Sequence, residues 1–312
     1  MAISCDVPKR RLYDISVNVQ IDYLSGHGCG HSARKEDSIV ASIENKGTAL
    51  ITDASSGIGA VYADRLAHQG YDLILVARNR DRLQELANRL TTETGRSVEI
   101  VTADLGSPAD LAGVETVLRT DASVTMLVNN AGVGATAPLL GSDIARMDDM
   151  IALNVGALTR LTYAAAPGFV ARGGGTIVNI SSIVAISPET LNGVYGGSKA
   201  FVLAFSQSLH HELADKGVRI QAVLPGATAT EFWGIAGLPV HNLPTATVMS
   251  AEDMVDAALA GLEQGETVTI PALPDKAEWE AFDAARRAMS GRLSSAVPAA
   301  RYNVGPSQST GA

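Results

Sequence analysis

The sequence predicts an α/β protein with one doubly wound, seven-stranded parallel sheet and helices on both faces. Short β-branched runs alternate with helical stretches from Lys46 onward, which is typical of βαβ units. Most of these runs are apolar throughout, as expected for strands that helices cover on both sides. The predicted strands are 48–52, 72–77, 97–102, 125–129, 176–180, 219–224 and 267–270.

Two crossover helices can be placed by their periodicity. Between the first two strands, Ile58, Tyr62 and Leu66 recur at i, i+4 and i+8, and Gly70 can provide a left-handed C-terminal cap. A longer helix is expected after Asn192, ending at Gly217. Its expected buried face consists of Val202, Phe205, Leu209 and Leu213.

Composition restricts the possible partners. The chain has 312 residues, a formal charge of −9, 18% charged residues and 46% hydrophobic residues. Nucleic acids and anionic membranes need a positive surface, so we expect neither as a partner. No apolar run approaches the roughly 20 residues that span a bilayer. We therefore expect a cytoplasmic protein that acts on a small molecule.

The first 45 residues differ from the remainder. They contain both cysteines, Cys5 and Cys29, so disulfides cannot hold the later fold together. His27, Cys29 and His31 lie in a glycine-rich run without a second cluster at zinc-finger spacing, and we expect disorder there and no bound metal. Two interpretations of this extension are open, an interaction tail and a start-site artefact.

The rest of the chain is predicted to form one domain and a tail. No linker composition divides it into two folded parts. A segment rich in Gly and Pro is expected to form a mobile substrate lid, and the Ser- and Ala-rich end is expected to be loose. The expected ranges are 1–45 for the extension, 46–291 for the domain, about 232–250 for the lid and 292–312 for the tail.

A glycine-containing turn follows the first predicted strand. Backbone N–H groups and a helix N-terminus at this place can hold a pyrophosphate, and glycine permits close approach. The turn alone is a weak signal, because tight βα turns also need glycine for backbone reasons. Its candidate cofactor-binding residues are Thr52, Asp53, Ser55, Ser56, Gly57, Ile58 and Gly59.

Arg78 follows the second predicted strand, where a dinucleotide-binding unit meets the adenosine ribose. An acidic residue here would accept a hydrogen bond from a free 2′-hydroxyl, whereas a guanidinium can bind a 2′-phosphate with two hydrogen bonds. This favours NADP(H) over NAD(H). The alternative is a solvated arginine at the start of the next helix.

Tyr195 and Lys199 are four residues apart at the start of a predicted helix, so they share one face. A free phenol has a pKa of about 10, and a nearby ammonium group favours the phenolate. We therefore expect Lys199 to lower the pKa of Tyr195. Ser182 follows the fifth predicted strand, at the sheet edge where open α/β folds bind ligands.

These motifs, taken in order, resemble the short-chain dehydrogenase/reductase family in its single-domain form, with a Rossmann-type fold. The resemblance covers nearly everything from about Lys46 to Ile270. The matching residues are the Ser-Ser-Gly-Ile-Gly turn, Asp104, the Asn-Asn-Ala-Gly run ending at Gly132, Asn154, Ser182, Tyr195, Lys199 and the segment from Pro225 to Thr230.

The resemblance implies a cofactor site. Asp104 would hold the adenine, Lys199 would bind the nicotinamide ribose, and Thr228 or Thr230 would meet the nicotinamide end. Tyr195 also belongs to this implied site. The remaining implied cofactor contacts are Leu105, Asn130, Ala131, Gly132, Pro225 and Gly226.

The resemblance also implies a reaction. NADPH would deliver hydride to a carbonyl carbon while Tyr195 donates a proton, Ser182 polarises the carbonyl and Asn154 positions a water. The reverse reaction would oxidise an alcohol. The substrate is expected to be apolar and the protein to be a homodimer or homotetramer. The expected substrate pocket comprises Ser182, Ile183, Val184, Phe232 and Trp233.

Asp53 departs from the family pattern, which has glycine there. At roughly 7 Å and an effective dielectric constant of about 20, its repulsion of a phosphate would cost on the order of 2 kcal/mol. Arg78 could offset the charge, or Asp53 could accept hydrogen bonds from the turn's own amides. The alternative function is therefore a cofactor-sensing or interaction protein on the same fold. A nucleotide-sugar epimerase is disfavoured, because only about 40 residues follow Ile270.

Overall fold

The structure is a computed structural model that describes residues 45–304. The predicted extension, with its His-Cys-His run, lies outside the described residues except for Asn45, and so does the end of the predicted tail. Among the described helices, none combines the length and the apolar character needed to cross a bilayer.

Seven parallel strands form one sheet, which confirms the predicted fold class. The described strands are β1 Thr48–Thr52, β2 Asp72–Ala77, β3 Val98–Thr102, β4 Val124–Asn129, β5 Gly175–Ile180, β6 Val218–Val223, β7 Ala227–Thr228, β8 Val248–Met249 and β9 Val268–Thr269. The order across the large sheet is β3-β2-β1-β4-β5-β6-β9, and the two short strands β7 and β8 pair with each other.

Helices cover both faces of the large sheet. The α-helices are α1 Gly57–His68, α2 Arg80–Thr94, α3 Pro108–Thr120, α4 Ile144–Ile151, α5 Leu158–Ala171, α6 Gly193–Leu213, α7 Phe232–Ala236, α8 Ala251–Glu263 and α9 Lys276–Met289. A π-helical turn, Ala152–Ala157, joins α4 to α5.

Two apolar layers hold the helices on the sheet. On one face Tyr62 and Leu66 of α1 pack with Val255 of α8. On the other face Leu161 of α5 and Leu209 of α6 are buried. Strands β1 and β2 are buried along nearly their whole length, as their continuous apolar sequences predict.

The helix boundaries follow from local chemistry. The Asn192 side chain accepts hydrogen bonds from the N–H groups of Val194 and Tyr195, and so caps the start of α6. Gly70 and Gly217 have φ values of 100° and 79°, in the left-handed region that glycine favours, and each lies just beyond a helical segment. The predicted helix ends are therefore confirmed at both glycines.

A buried carboxylate joins α3 to α5. The side chain of Glu115 is 6% exposed and forms ion pairs with Arg119 of α3 and Arg160 of α5. The hydrogen bond from Arg160 is the main cause that holds the pKa of this carboxyl below its usual value of 4.5. A buried charge is tolerable here because both of its oxygens have cationic partners.

Candidate active site

The turn between β1 and α1 has the close packing that a pyrophosphate-binding turn requires. Gly57 has a φ of 52°, which favours glycine. A Cβ atom at Gly59 would lie 2.3 Å from the carbonyl oxygen of Asp53 and 2.6 Å from Nδ2 of Asn130. Only glycine therefore fits at this point, and its close approach supports a dinucleotide in the adjoining cleft.

Thr52 and Asn130 tie the ends of β1 and β4 together. The Thr52 hydroxyl accepts hydrogen bonds from the N–H groups of Asn130 and Ala131, both at 2.9 Å, and donates to the Val128 carbonyl at 3.3 Å. The Asn130 amide donates to the carbonyls of Thr52 and Asp53. These side chains thus shape the turn through the backbone.

Asp53 occupies a backbone conformation that L-residues seldom adopt. Its φ is 51°, the left-handed region, which agrees with glycine in the family pattern. The side chain is solvent-exposed, yet withdrawal of water by the cleft walls raises the pKa of its carboxyl; Arg78 lowers that pKa and Glu231 raises it. Among the described residues the Asp53 carboxylate has no hydrogen-bond partner. Of the two expected ways to accommodate its charge, the structure therefore favours compensation by Arg78 over hydrogen bonds to the amides of the turn.

Two residues of the predicted adenosine side, Arg78 and Asp104, lie differently with respect to the cleft. Arg78 is exposed and lines the cleft, where a 2′-phosphate could reach it. Asp104 does not line the cleft: its Oδ1 atom accepts a hydrogen bond from the N–H of Gly106 at 2.9 Å. Leu105 is 7% exposed and packs into the core.

Three catalytic candidates meet in one cleft. Ser182 follows β5 by two residues, and Tyr195 and Lys199 lie in the first two turns of α6; all three are at most 8% exposed and line the same cleft. The Lys199 ammonium donates to the carbonyl of Ile180 at 2.9 Å and lies 5.9 Å from the centre of the Tyr195 ring. The buried group matches the predicted constellation.

Burial controls the proton affinities of this group. It raises the pKa of Tyr195 to about 12, against a smaller lowering by a hydrogen bond with Ser182. It lowers the pKa of Lys199 to about 8. The pKa of the phenol is therefore raised overall, because loss of hydration outweighs the hydrogen bond with Ser182. The expected lowering of that pKa by Lys199 stays a prediction.

Asn154 lies in the π-helical turn and is 1% exposed. Its amide accepts from the N–H of Val133 and donates to the Val133 carbonyl and to the Ser198 hydroxyl. A Cβ at Gly132 would lie 3.2 Å from Asn154 Oδ1 and 3.3 Å from Lys199 Nζ. Both amide hydrogens are in use, so the side chain could bind a water only through Oδ1.

The segment after β6 forms the opposite wall. Its ends are tied by the β7–β8 pair, which the sequence analysis did not foresee. The Trp233 indole donates to the Thr228 carbonyl at 2.9 Å, and the Phe232 ring lies 5.8 Å from the Tyr195 ring. The two aromatic rings of this segment therefore lie beside the candidate catalytic residues. The mobility predicted for this lid stays a prediction.

One large cleft of about 1290 Å³ contains most of the predicted site. Six predicted residues do not line it: Thr52, Gly59, Asp104, Leu105, Ala131 and Asn154. The predicted residues that do line it are Asp53, Ser55, Ser56, Gly57, Ile58, Arg78, Asn130, Gly132, Ser182, Ile183, Val184, Tyr195, Lys199, Pro225, Gly226, Thr228, Thr230, Phe232 and Trp233.

Two features of the cleft were missed by the sequence analysis. Arg82 and Glu231 form an ion pair of 2.8 Å at its mouth. Leu191 and Leu238 extend its apolar wall. No local signal links positions 82 and 231, because only the fold brings them together.

The fold and site define an oxidoreductase of the dinucleotide-binding α/β class. The sequence model of the family described as short chain dehydrogenase matches residues 47–236. The chain belongs to this family of oxidoreductases.

Solved structures and characterised relatives agree. A short-chain dehydrogenase from Sphingobium yanoikuyae, solved in complex with NADPH, is 50% identical with a TM-score of 0.80, covering 82% of this chain and 99% of that one. The bulky-bulky ketone specific alcohol dehydrogenase from Comamonas testosteroni is 44% identical with a TM-score of 0.77, covering 83% and 99%. A very-long-chain 3-oxoacyl-CoA reductase from Anas platyrhynchos is 34% identical over 206 residues, or 63% of this chain and 64% of that relative. The match thus spans less than two thirds of the duck protein.

Proposed function

We propose that the protein reduces bulky, apolar ketones with NADPH, with Tyr195 as the proton donor. The observation that carries this proposal is the burial of Ser182, Tyr195 and Lys199 in the same cleft that the glycine turn and Arg78 line. Bound NADPH would supply the hydride for the carbonyl carbon. The alcohol oxidation is the same chemistry in reverse.

The chain's own residues would handle the proton and the carbonyl oxygen. Tyr195, whose pKa of about 12 keeps it protonated at neutral pH, can donate its proton to the developing alkoxide. The Ser182 hydroxyl, which lowers the pKa of the Tyr195 phenol, can polarise the same oxygen. The positive charge of Lys199 would favour the phenolate that remains, and Asn154 would keep Gly132 and Val133 in place beside it.

The preference for NADPH rests on Arg78. Its guanidinium is exposed in the cleft after β2, where it can bind a phosphate with two hydrogen bonds. The S. yanoikuyae relative was solved with NADPH, which supports the same preference here. Arg78→Gln should weaken NADPH binding by about tenfold or more and leave NADH binding nearly unchanged.

The substrate class follows from the walls around Tyr195. Aliphatic and aromatic side chains dominate there, so a ketone with two large apolar groups would lose water on both sides of its carbonyl. The name of the C. testosteroni relative, a bulky-bulky ketone specific enzyme, supports this choice. The apolar residues of this part of the cleft are Ile183, Val184, Leu191, Phe232, Trp233, Ile235, Leu238 and Leu243.

The test is NADPH oxidation with a panel of ketones that carry zero, one or two bulky apolar groups. We expect kcat/KM to rise with apolar size, and Tyr195→Phe to lower kcat by about 10²- to 10⁴-fold with unchanged NADPH affinity. A Tyr195→Phe rate equal to the wild type would contradict the role of the tyrosine. A preference for small polar carbonyls would contradict the substrate class.

A second candidate is a cofactor-sensing or interaction protein. Asp53 favours it, because an acidic residue with a φ of 51° stands in the turn that would approach a pyrophosphate. This candidate predicts no turnover of any ketone. An interaction protein would in addition bind NADPH only after Asp53 is replaced, whereas a cofactor sensor would bind NADPH without reducing any ketone. Isothermal titration of wild type and Asp53→Gly with NADPH, followed by the ketone panel, distinguishes these outcomes from the enzyme.

We further propose a homodimer or homotetramer built on α5 and α6. Tyr163 of α5 is 68% exposed and stacks on Phe205 of α6 at 6.4 Å, and Phe205 stacks on Phe201 at 5.5 Å. An aromatic row at the protein surface is typical of an interface core. Light scattering after size-exclusion chromatography should give a molecular mass that is a multiple of the chain mass. Tyr163→Glu should lower this measured mass.

A further inference from the structure

The Arg82–Glu231 ion pair joins two distant parts of the chain at the mouth of the cleft. Arg82 lies in the first turn of α2, and Glu231 immediately precedes α7. Nη1 and Oε2 are 2.8 Å apart, and both residues line the cleft. The contact therefore links α2, on the expected adenosine side, to the segment that bears Phe232.

The segment that bears Glu231 also rests on the glycine turn. A Cβ atom at Gly57 would lie 3.1 Å from Cγ2 of Thr230, the residue before Glu231. The base of the segment is held by the Trp233 hydrogen bond to Thr228 and by the β7–β8 pair. Thr230 thus lies directly against the turn that is expected to hold the pyrophosphate, and the rest of residues 228–233 is tied to it.

The other end of this segment reaches the catalytic tyrosine. The rings of Phe232 and Tyr195 are 5.8 Å apart. Phe232 is also confined on its far side, since a Cβ at Gly134 would lie 2.2 Å from its Cζ atom. Because Glu231 and Phe232 are adjacent, any restraint on Glu231 restrains the backbone from which the Phe232 ring extends.

We propose that Arg82 and Glu231 are positioning residues whose ion pair clasps residues 228–233 against the glycine turn. The clasp slows release of the cofactor and keeps Phe232 beside Tyr195. This inference rests on the proposed function, because it concerns NADPH held in the same cleft. Both side chains are about half exposed, with 46% and 61% of their surface accessible, so the effect is modest.

A clasp and a purely electrostatic effect on the cofactor predict opposite changes in NADPH release when the charge of Glu231 is removed. If the charges act only through space on the cofactor phosphates, removing Glu231's negative charge tightens NADPH binding and removing Arg82's positive charge weakens it. If the pair acts as a clasp, either removal frees the segment. Both single variants then release NADPH faster.

The experiment is stopped-flow displacement of NADPH, followed by its fluorescence, in the full-length protein. We expect Arg82→Gln and Glu231→Gln each to raise the NADPH off-rate about two- to fivefold. The exchange variant Arg82→Glu/Glu231→Arg should bring the off-rate most of the way back to the wild-type value. The ketone KM should rise in both single variants with little change in kcat. The matched control is Arg89→Gln, also in α2 and 46% exposed, whose ion pairs with Glu93 and with Asp64 of α1 lie outside the cleft lining.

The outcomes separate the clasp from the proposed function. If the wild type does not bind NADPH, the proposed function fails and the clasp fails with it. If the wild type binds NADPH and reduces ketones, but Glu231→Gln slows release while Arg82→Gln speeds it, the clasp alone is refuted in favour of the purely electrostatic effect. Unchanged off-rates in both single variants also refute it.

Discussion

Replacing Asp53 tests how an acidic side chain affects a phosphate-binding turn. Asp53→Asn removes the charge and keeps a residue type that tolerates a left-handed backbone, whereas Asp53→Gly removes the side chain as well. We expect both variants to bind NADPH more tightly than the wild type. Their difference measures steric crowding separately from charge.

The magnitude follows from the exposure of Asp53 and from its neighbour. A carboxylate and a phosphate roughly 7 Å apart repel by about 2 kcal/mol at an effective dielectric constant of 20, and by about 0.6 kcal/mol in water. Asp53 is exposed and faces Arg78, so we expect a value between these limits, near 1 kcal/mol. This corresponds to about fivefold in NADPH affinity.

The pH dependence supplies a second signature. Desolvation in the cleft raises the pKa of the Asp53 carboxyl above its ordinary 3.8, although Arg78 opposes the shift. Its charge is therefore lost on acidification at a higher pH than for an ordinary aspartate. Wild-type NADPH affinity should improve as pH falls through that pKa, and the same step should be absent in Asp53→Asn.

Fluorescence titration with NADPH and NADH measures these effects. The control is Glu212→Gln, which changes the net charge equally but lies 17 residues along α6 from Tyr195, about 25 Å of helix. NADPH affinity that is equal in the wild type and both Asp53 variants would refute the electrostatic reasoning. Equal tightening in Glu212→Gln would mean that net charge alone is responsible.

Three further predictions concern stability and proton affinity. Glu115→Gln should lower the free energy of unfolding by about 1–3 kcal/mol, measured with urea, because two arginines lose their buried partner. The pKa of Glu115 is depressed in the folded state, so this difference from the wild type should persist at neutral pH and shrink as pH falls below 4.5. Gly59→Ala should cost about 1–3 kcal/mol in the same assay, whereas Gly113→Ala, with open space at its Cβ, should be neutral or stabilising; equal costs would contradict the packing argument. The rate of ketone reduction at saturating NADPH should fall as pH rises through about 8, where Lys199 loses its charge, and a flat profile to pH 10 would contradict this.

The central strands could be predicted because each is a short apolar run that is buried on both faces. The observed bounds of β1 and β2 equal the predicted ones. Strand β9 is shorter than predicted, only Val268–Thr269, because just two of its residues pair with β6. Strand β3 omits Ser97 and is half exposed at the sheet edge. Pairing partners at an edge depend on tertiary contacts that a local pattern does not contain.

The placement of a candidate site residue could be predicted where helix spacing fixes it, but not where its side chain has several possible hydrogen-bond partners. Residues four apart in a helix lie on the same face, so the proximity of Tyr195 and Lys199 followed from their spacing alone. Asp104 could have faced the cleft, but its carboxylate caps the nearby N–H of Gly106. The raised pKa of the Tyr195 phenol was not foreseen, because the sequence does not show the depth of burial that causes it.

The backbone around the catalytic side chains is held from two directions. The Ser198 hydroxyl donates to the Tyr195 carbonyl at 2.8 Å and accepts from Asn154, which also binds both polar groups of Val133. From the β5 side, the Ser181 hydroxyl donates to the Lys199 carbonyl at 2.8 Å. Such buried bonds cost little further ordering once the fold forms, and they hold the backbone of Tyr195, the proposed proton donor, in place. Asn154 therefore acts on Tyr195 through Ser198, whatever it contributes to a bound water.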